Sequence, residues 1–258
     1  MKLKILIFLF FIVVCNGYAD SFNNPASPSI IQEGFIISDK SFMNFRLGIE
    51  NDFTYDELVQ FKGCFKESLF SHPKLESRTS NFNIILNIKE RLDIYGKIGK
   101  SIVESRFQKS DDFFRFKCKS NPFYEAGVKL LLIEINSYAF GLDVNYFYYS
   151  SSPSFLLKNE APQEIGLLKY SIKGWQIGVL VSKSISYFVP YFGLSVRNVD
   201  IKFDHFPFYD NKRVALHDKH REGLVLGCSF SPYSYIMLNA EVRIINQNSI
   251  ACGGSFRF

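Results

Sequence analysis

The sequence predicts an all-β chain: an antiparallel transmembrane β-barrel of about ten strands, within a range of ten to twelve. Three observations predict it. The last segment alternates Ile250, Cys252, Gly254, Phe256 and Phe258 with Ser249, Ala251, Gly253, Ser255 and Arg257, which gives one face to lipid and one to a lumen. The chain opens on a basic start and a short apolar run, the pattern of an export signal. Nothing between is long and apolar enough for a membrane helix, and only helices and closed barrels satisfy every backbone group in lipid.

The opening is Met1, Lys2 and Lys4, then an apolar run from Ile5 to Cys15, then Asn16, Gly17, Tyr18 and Ala19. The run falls short of the roughly 20 apolar residues that a span requires. Residues 1–19 therefore read as a cleaved signal peptide, cut between Ala19 and Asp20. Cys15 follows Val14, where signal-end lipidation needs a small residue. Residues 20–40, with Asn23, Asn24, Pro25, Ser27, Pro28 and Ser29, read as an irregular periplasmic lead-in. Residues 41–258 read as the barrel.

The strands follow in order. Phe45, Leu47 and Ile49 alternate with Asn44, Arg46, Gly48 and Glu50. Two alternating runs, Phe82–Ile88 and Leu92–Ile98, meet across Lys89, Glu90 and Arg91 as a hairpin. Tyr124–Ile133 and Tyr138–Tyr148 pair across Glu134, Ile135, Asn136 and Ser137. Ser150–Pro162, with its serines and prolines, reads as a loop. Trp175–Lys183 and Tyr187–Ile201 pair next, with Trp175 as an interfacial anchor and Pro190 near a strand start. Lys202–Arg221 reads as a long polar loop. Gly223–Phe230, Tyr235–Ile245 and Asn248–Phe258 complete ten strands. Leu58–Phe65 and Phe113–Lys119 could add two more, and Asp56–Ser71 also admits a helix.

Composition agrees with a membrane barrel. The chain has 28 Phe and 14 Tyr, an excess that aromatic girdles at two interfaces absorb; a β-sandwich core has the same preference. Once Lys2 and Lys4 leave with the signal, 28 basic face 25 acidic residues, a net of +3. That is too weak and dispersed for a nucleic-acid partner. Cys64, Cys118, Cys228 and Cys252 remain as candidate disulfide cysteines, which an exported location permits. Their spacing suits neither a zinc nor a redox site. No metal and no cofactor is expected.

If the apolar faces meet lipid, the opposite faces place Arg46, Glu50, Asp93, Lys97, Glu125, Lys129, Asp143, Glu241, Arg243 and Arg257 in the lumen. Five are basic and five acidic. Such a wall can create a transverse field across a pore, or pair and fill a narrow barrel. Phe256 and Phe258 form the C-terminal signature of barrel assembly.

Several segments resemble the chlamydial major outer membrane proteins. They are FRLGIENDFTYDE from Phe45, SNFNIILNIKERLDIYGKIG from Ser80, YFVPYFGLSV from Tyr187, and Ala240–Phe258 with Glu241, Val242, Arg243 and the final Ser-Phe-Arg-Phe. Their order and rough spacing agree across nearly all of residues 20–258. The chain is shorter than typical members and has fewer cysteines. The resemblance implies an outer-membrane porin that is often oligomeric.

The expected function is passive diffusion of small hydrophilic solutes through the bacterial outer membrane, with a structural envelope role and no catalysis. The expected partners are outer-membrane lipid, the barrel-assembly machinery, a second copy of the chain and the solutes. The alternatives are a non-conducting structural barrel, a surface adhesin acting through its loops, a soluble β-sandwich, and a barrel hydrolase using Asp204, His205, Asp210, His217 and Asp218. For the last, no base is visibly aimed at a nucleophile. His217 and His220 form an isolated pair, weak as a metal motif.

Overall fold

The computed structural model describes residues 22–30, 42–61, 71–109, 112–163, 168–205, 213–233 and 235–258. The signal peptide, Cys64 and Asp210 lie outside them. The chain is almost wholly strand: β1 (Met43–Phe61), β2 (Ser71–Ile88), β3 (Leu92–Lys109), β4 (Asp112–Cys118), β5 (Asn121–Ile135), β6 (Tyr138–Ser151), β7 (Pro153–Lys158), β8 (Ala161–Gln163), β9 (Lys169–Lys183), β10 (Phe188–Asp204), β11 (Val214–Asp218), β12 (Glu222–Tyr233), β13 (Ile236–Ile244) and β14 (Gln247–Arg257). One short helix, α1 (Ser27–Ile30), precedes them.

Ten of these strands close a barrel. The antiparallel pairs run β1–β2–β3–β5–β6–β9–β10–β12–β13–β14 and return from β14 to β1. They are the ten that alternation identifies in the sequence. Closure removes every edge among the ten, so no ladder hydrogen bonds are left for lipid to oppose. The Phe258 N–H donates to the Phe45 carbonyl (3.1 Å) at the seam.

One end carries tight turns. Lys89 and Glu90 take φ values of 52° and 56° in the three-residue turn between β2 and β3, the left-handed region that tight hairpin turns use. Asn136 (55°) and Ser186 (55°) serve the next two turns at this end. The other end carries the longer connections and is built differently from the sequence reading. The loop read at Ser150–Pro162 contains β7 and β8, and the one at Lys202–Arg221 contains β11. β4 pairs with β3 and β7, while β11 bridges β10 and β1 above the short β12–β14 strands. Phe113–Lys119 is thus a strand, but not an eleventh barrel strand. Residues 56–61 are strand, which overturns the helical alternative there.

The outer face is apolar over one band. Ile49, Ile84, Ile98, Val128, Val144, Val179, Leu194 and Ile250 are exposed on it, Leu194 to 68 %. Tyr138 and Tyr148 on β6, with Tyr124 and Trp175 on neighbouring strands, mark its borders. Ten residues at about 3.3 Å rise and a tilt near 40° give a height of about 25 Å, as membrane barrels show. Toward the loop end the pattern inverts. On β10, Phe192, Leu194 and Val196 face out, but beyond them Val199, Ile201 and Phe203 face in. β3 changes in the same way, from Ile94 and Ile98 outside to Val103 and Phe107 inside. Where the outer medium is water rather than lipid, burial of apolar area favours the inner face.

Candidate functional site

The site is the lumen. Period-two geometry aims alternate side chains inward, and all ten sequence-predicted lumen residues do point there. Arg46, Glu50, Asp93, Lys97, Glu125, Lys129, Asp143, Glu241, Arg243 and Arg257 are buried. Asp52, Glu57, Arg197 and Asp218 join them, so the interior holds six basic and eight acidic side chains among the described residues.

Most of these charges are paired. Lys97 lies between Glu50 (3.1 Å) and Glu125 (3.2 Å). Lys129 meets Asp143 at 3.3 Å, and the Tyr95 hydroxyl donates to Asp143 at 2.7 Å. Arg46 pairs with Asp93, and Arg243 with Asp52 and Glu241. Arg197 meets Glu57 at 2.9 Å and lies over the Phe147 ring. Several pairs are neighbours in the ladder itself: Lys97 is opposite Glu125, and Lys129 opposite Asp143. Burying a charge without a partner costs several kcal/mol, so removing either member destabilises by about 3–5 kcal/mol.

The segment 22–30 occupies the turn-end half of this lumen. That replaces the expected periplasmic lead-in for these residues. The Glu241 carboxylate accepts the N–H groups of Phe22 and Asn23, both at 3.0 Å, and the Tyr191 hydroxyl at 2.9 Å. The Lys129 ammonium donates to the Phe22 carbonyl, and Arg46 donates to the Ser27 carbonyl at 2.8 Å. Asn23 donates to Glu50 (3.1 Å), Ser27 to Asp93 (3.3 Å), and the Asn24 amide to the Val189 carbonyl (2.8 Å). The wall makes room with glycine. A Cβ on Gly178 would lie 2.6 Å from the Phe22 ring, and one on Gly141 would lie 2.8 Å from Pro25. An eight-stranded barrel is filled by its own side chains; two more strands leave space for one chain.

The loop-end half is filled differently. Phe107, Phe114, Phe116, Tyr149, Tyr170 and Phe203 pack with Leu75, Val103, Ile201 and Leu216 into a buried cluster. Phe116 meets Phe203 edge-on at 5.1 Å, and Tyr170 meets Phe203 at 4.8 Å. Such ring pairs add about 0.5–1.5 kcal/mol beyond burial. Cavities of about 50 and 40 Å³ lie beside Arg197 and beside the inserted segment, and one of about 10 Å³ within the cluster. Each holds a few water molecules at most.

At the junction of the two halves Asp218 faces in from β11 and is buried near Glu57 and Arg197. Burial pushes its carboxyl up to about 7, with Arg197 opposing the rise and Glu57 adding to it. Cys118 on β4 is buried at the cluster, and burial raises its thiol to about 12, which keeps it protonated and unreactive. Cys228 on β12 pairs in register with Ala240, which pairs with Cys252. Two strand spacings of about 4.8 Å put Cys228 and Cys252 beyond disulfide reach within one barrel.

Among the described residues the hydrolase constellation does not assemble. His217 faces outward to Gln60 at 2.8 Å, while its neighbour Asp218 faces the lumen. Among the described residues no group of three or more His, Cys, Asp or Glu side chains could hold a metal. Trp175 is on the lipid-facing side, and Phe256 and Phe258 stack edge-on at 5.2 Å beside the seam. Asp52 and Arg197 escaped the sequence reading, although Asp52 alternates in phase with Glu50, which it identified, and Arg197 lies in phase with the buried Tyr191 and Ser195 of its own strand. The inserted segment carries no such periodic signal.

No protein-family model and no curated protein matches the chain. Solved structures of similar shape include an outer membrane channel from Pseudomonas putida F1, at a TM-score of 0.46 and 7 % identity over 93 % of this chain and 100 % of that one. The outer membrane protease OmpT of Escherichia coli matches at 0.41 and 12 % over 84 % and 96 %, and the translocator domain of the Neisseria meningitidis autotransporter NalP at 0.41 and 11 % over 85 % and 90 %. None is similar enough for a residue or an activity to be carried across. The fold that the chain itself presents is a closed, ten-stranded antiparallel barrel with a filled interior.

Proposed function

We propose that the protein is a bacterial outer-membrane barrel, exported by a cleaved signal peptide, that works as a gated channel for small hydrophilic solutes and also braces the envelope. The supporting observation is the seating of residues 22–30 on a charged wall. The segment is held by hydrogen bonds to lumen side chains and belongs to no strand ladder, so it can leave without breaking the barrel. With it gone, Glu50, Glu241, Arg46 and Lys129 line a polar space suited to hydrated solutes. The tight-turn end lies in the periplasm, as in bacterial barrels generally. Assembly machinery that reads Phe256 and Phe258, and self-association suggested by the chlamydial resemblance, belong to the same proposal.

Planar-bilayer recording tests it. The refolded mature chain should stay mostly closed, and a variant lacking residues 20–30 should open more often or more widely. If both are silent while folded, the barrel is purely structural. The aromatic cluster at the loop end favours that second reading, because it blocks the lumen independently of the segment.

A further inference from the structure

The outer surface just above the apolar band carries exposed cations that the channel does not use. On β2 and β3, Arg78 is opposite Ile102 and Lys100 is opposite Ser80, so the two cations are diagonal neighbours on one face. Lys100 follows Ile98 by one outward step, and Ile98 is in register with Tyr124 of the upper girdle. On the far side of the barrel Lys202 of β10 is opposite Ser171, with Lys169 and Lys173 of β9 diagonal to it. Lys173 is itself in register with Tyr148 of that girdle. Both groups thus begin where the lipid-facing residues end.

Several other charges at this height are matched. Lys74 pairs with Asp56, Arg106 and Arg115 with Glu104, Lys158 with Asp112, and Arg213 with Asp204. Asp200, opposite Lys173, and Asp204, opposite Lys169, border the second group. Arg78, Lys100, Lys169, Lys173 and Lys202 have no ion pair with any described residue. Diagonal cross-strand neighbours stand about 7–8 Å apart, a gap that one phosphate bridges with a charge-assisted contact to each side. A cation beside a lipid surface of opposite charge is attracted to it.

We propose that these two clusters bind the phosphorylated headgroups of outer-leaflet lipid, whose acyl chains lie along the apolar band below. The site rests on the membrane-barrel reading, because only a bilayer at the height of Tyr124 and Tyr148 brings headgroups to these residues. It is independent of whether the lumen conducts.

Native mass spectrometry of the full mature protein in dodecylmaltoside micelles, titrated with diphosphoryl lipid A, tests it. Wild type should retain lipid A, and the variant R78Q/K100Q/K169Q/K173Q/K202Q should bind about tenfold more weakly or worse. The variant K89Q/K183Q, which removes charge at the turn end, should bind as wild type. Equal binding by wild type and the five-site variant would overturn the proposal, as would equal loss in K89Q/K183Q. Full displacement by millimolar inorganic phosphate would assign the clusters to a free anion and overturn the lipid reading. A wild-type chain that shows no heat-modifiable, SDS-resistant band in micelles would refute the membrane barrel itself, and the lipid site with it.

Discussion

Glu241→Gln should loosen the inserted segment while leaving the barrel closed. The wild-type carboxylate accepts two backbone N–H groups, from Phe22 and Asn23, one on each oxygen. An amide of the same shape keeps one acceptor and presents an NH₂ to the other donor. A hydrogen bond to a charged group contributes about 1.5–3 kcal/mol. At 1.4 kcal/mol per decade, the population of the displaced segment should rise roughly 10- to 150-fold. Arg243 keeps Asp52 as its partner, so no buried cation is stranded. Hydrogen exchange read by mass spectrometry on a peptide covering residues 22–30 follows the change directly. Protection should fall by that factor in this peptide and stay constant in the β5 and β9 strands. Unaltered protection in a variant that still folds would mean that the Glu241 contacts do not hold the segment and that it is not a gate anchored there.

Further outcomes follow from the same geometry. Gly178→Val should expel Phe22 on steric grounds alone, because even a Cβ comes within 2.6 Å of its ring; exchange in the same peptide should rise, and unchanged protection would refute the close packing. Lys97→Glu should prevent stable folding rather than switch ion selectivity, since it sets a third carboxylate between Glu50 and Glu125; a lost heat-modifiable band is the readout. Phe116→Ala should cost about 3–5 kcal/mol in denaturant unfolding, the usual range for an aromatic removed from a packed core. Asp218 gives a pH dependence. Burial lifts its folded pKa to about 7 from the ordinary 3.8, so the folded state binds the proton more tightly than the unfolded chain does. The contribution of Asp218 to stability is therefore greatest below about pH 4, falls as pH rises toward 7, and is flat above, a loss on the order of 4 kcal/mol at most. Asp218→Asn should flatten that fall; a variant with the wild-type slope would refute the assignment.

The ten barrel strands were legible because each carries the period-two pattern across the membrane, and the inward position of Arg46, Lys97 and Glu241 follows from the same alternation. The loop-end tier was harder to see. On β10 the apolar residues shift from even positions, Phe192 to Val196, to odd ones, Val199 to Phe203. One continuous strand therefore reads as a strand that fades into a polar loop. The shift of phase is itself the mark of the membrane border. Segment 22–30 was not legible at all. Its asparagines, proline and serines are those of any exposed linker, and its place depends on partners such as Glu241 that are more than 200 residues away.

That distance governs the order of events in folding. Glu241 lies on the penultimate strand, 219 residues beyond Phe22, and β1 completes its second ladder only when β14 arrives. The earliest described residues must therefore wait for nearly the last before they acquire a resting place. Contacts so remote in sequence form slowly. Until they do, the lumen wall holds a set of charges prepared for a chain that has not yet settled, and final closure of the seam and docking of the segment become one late, shared step.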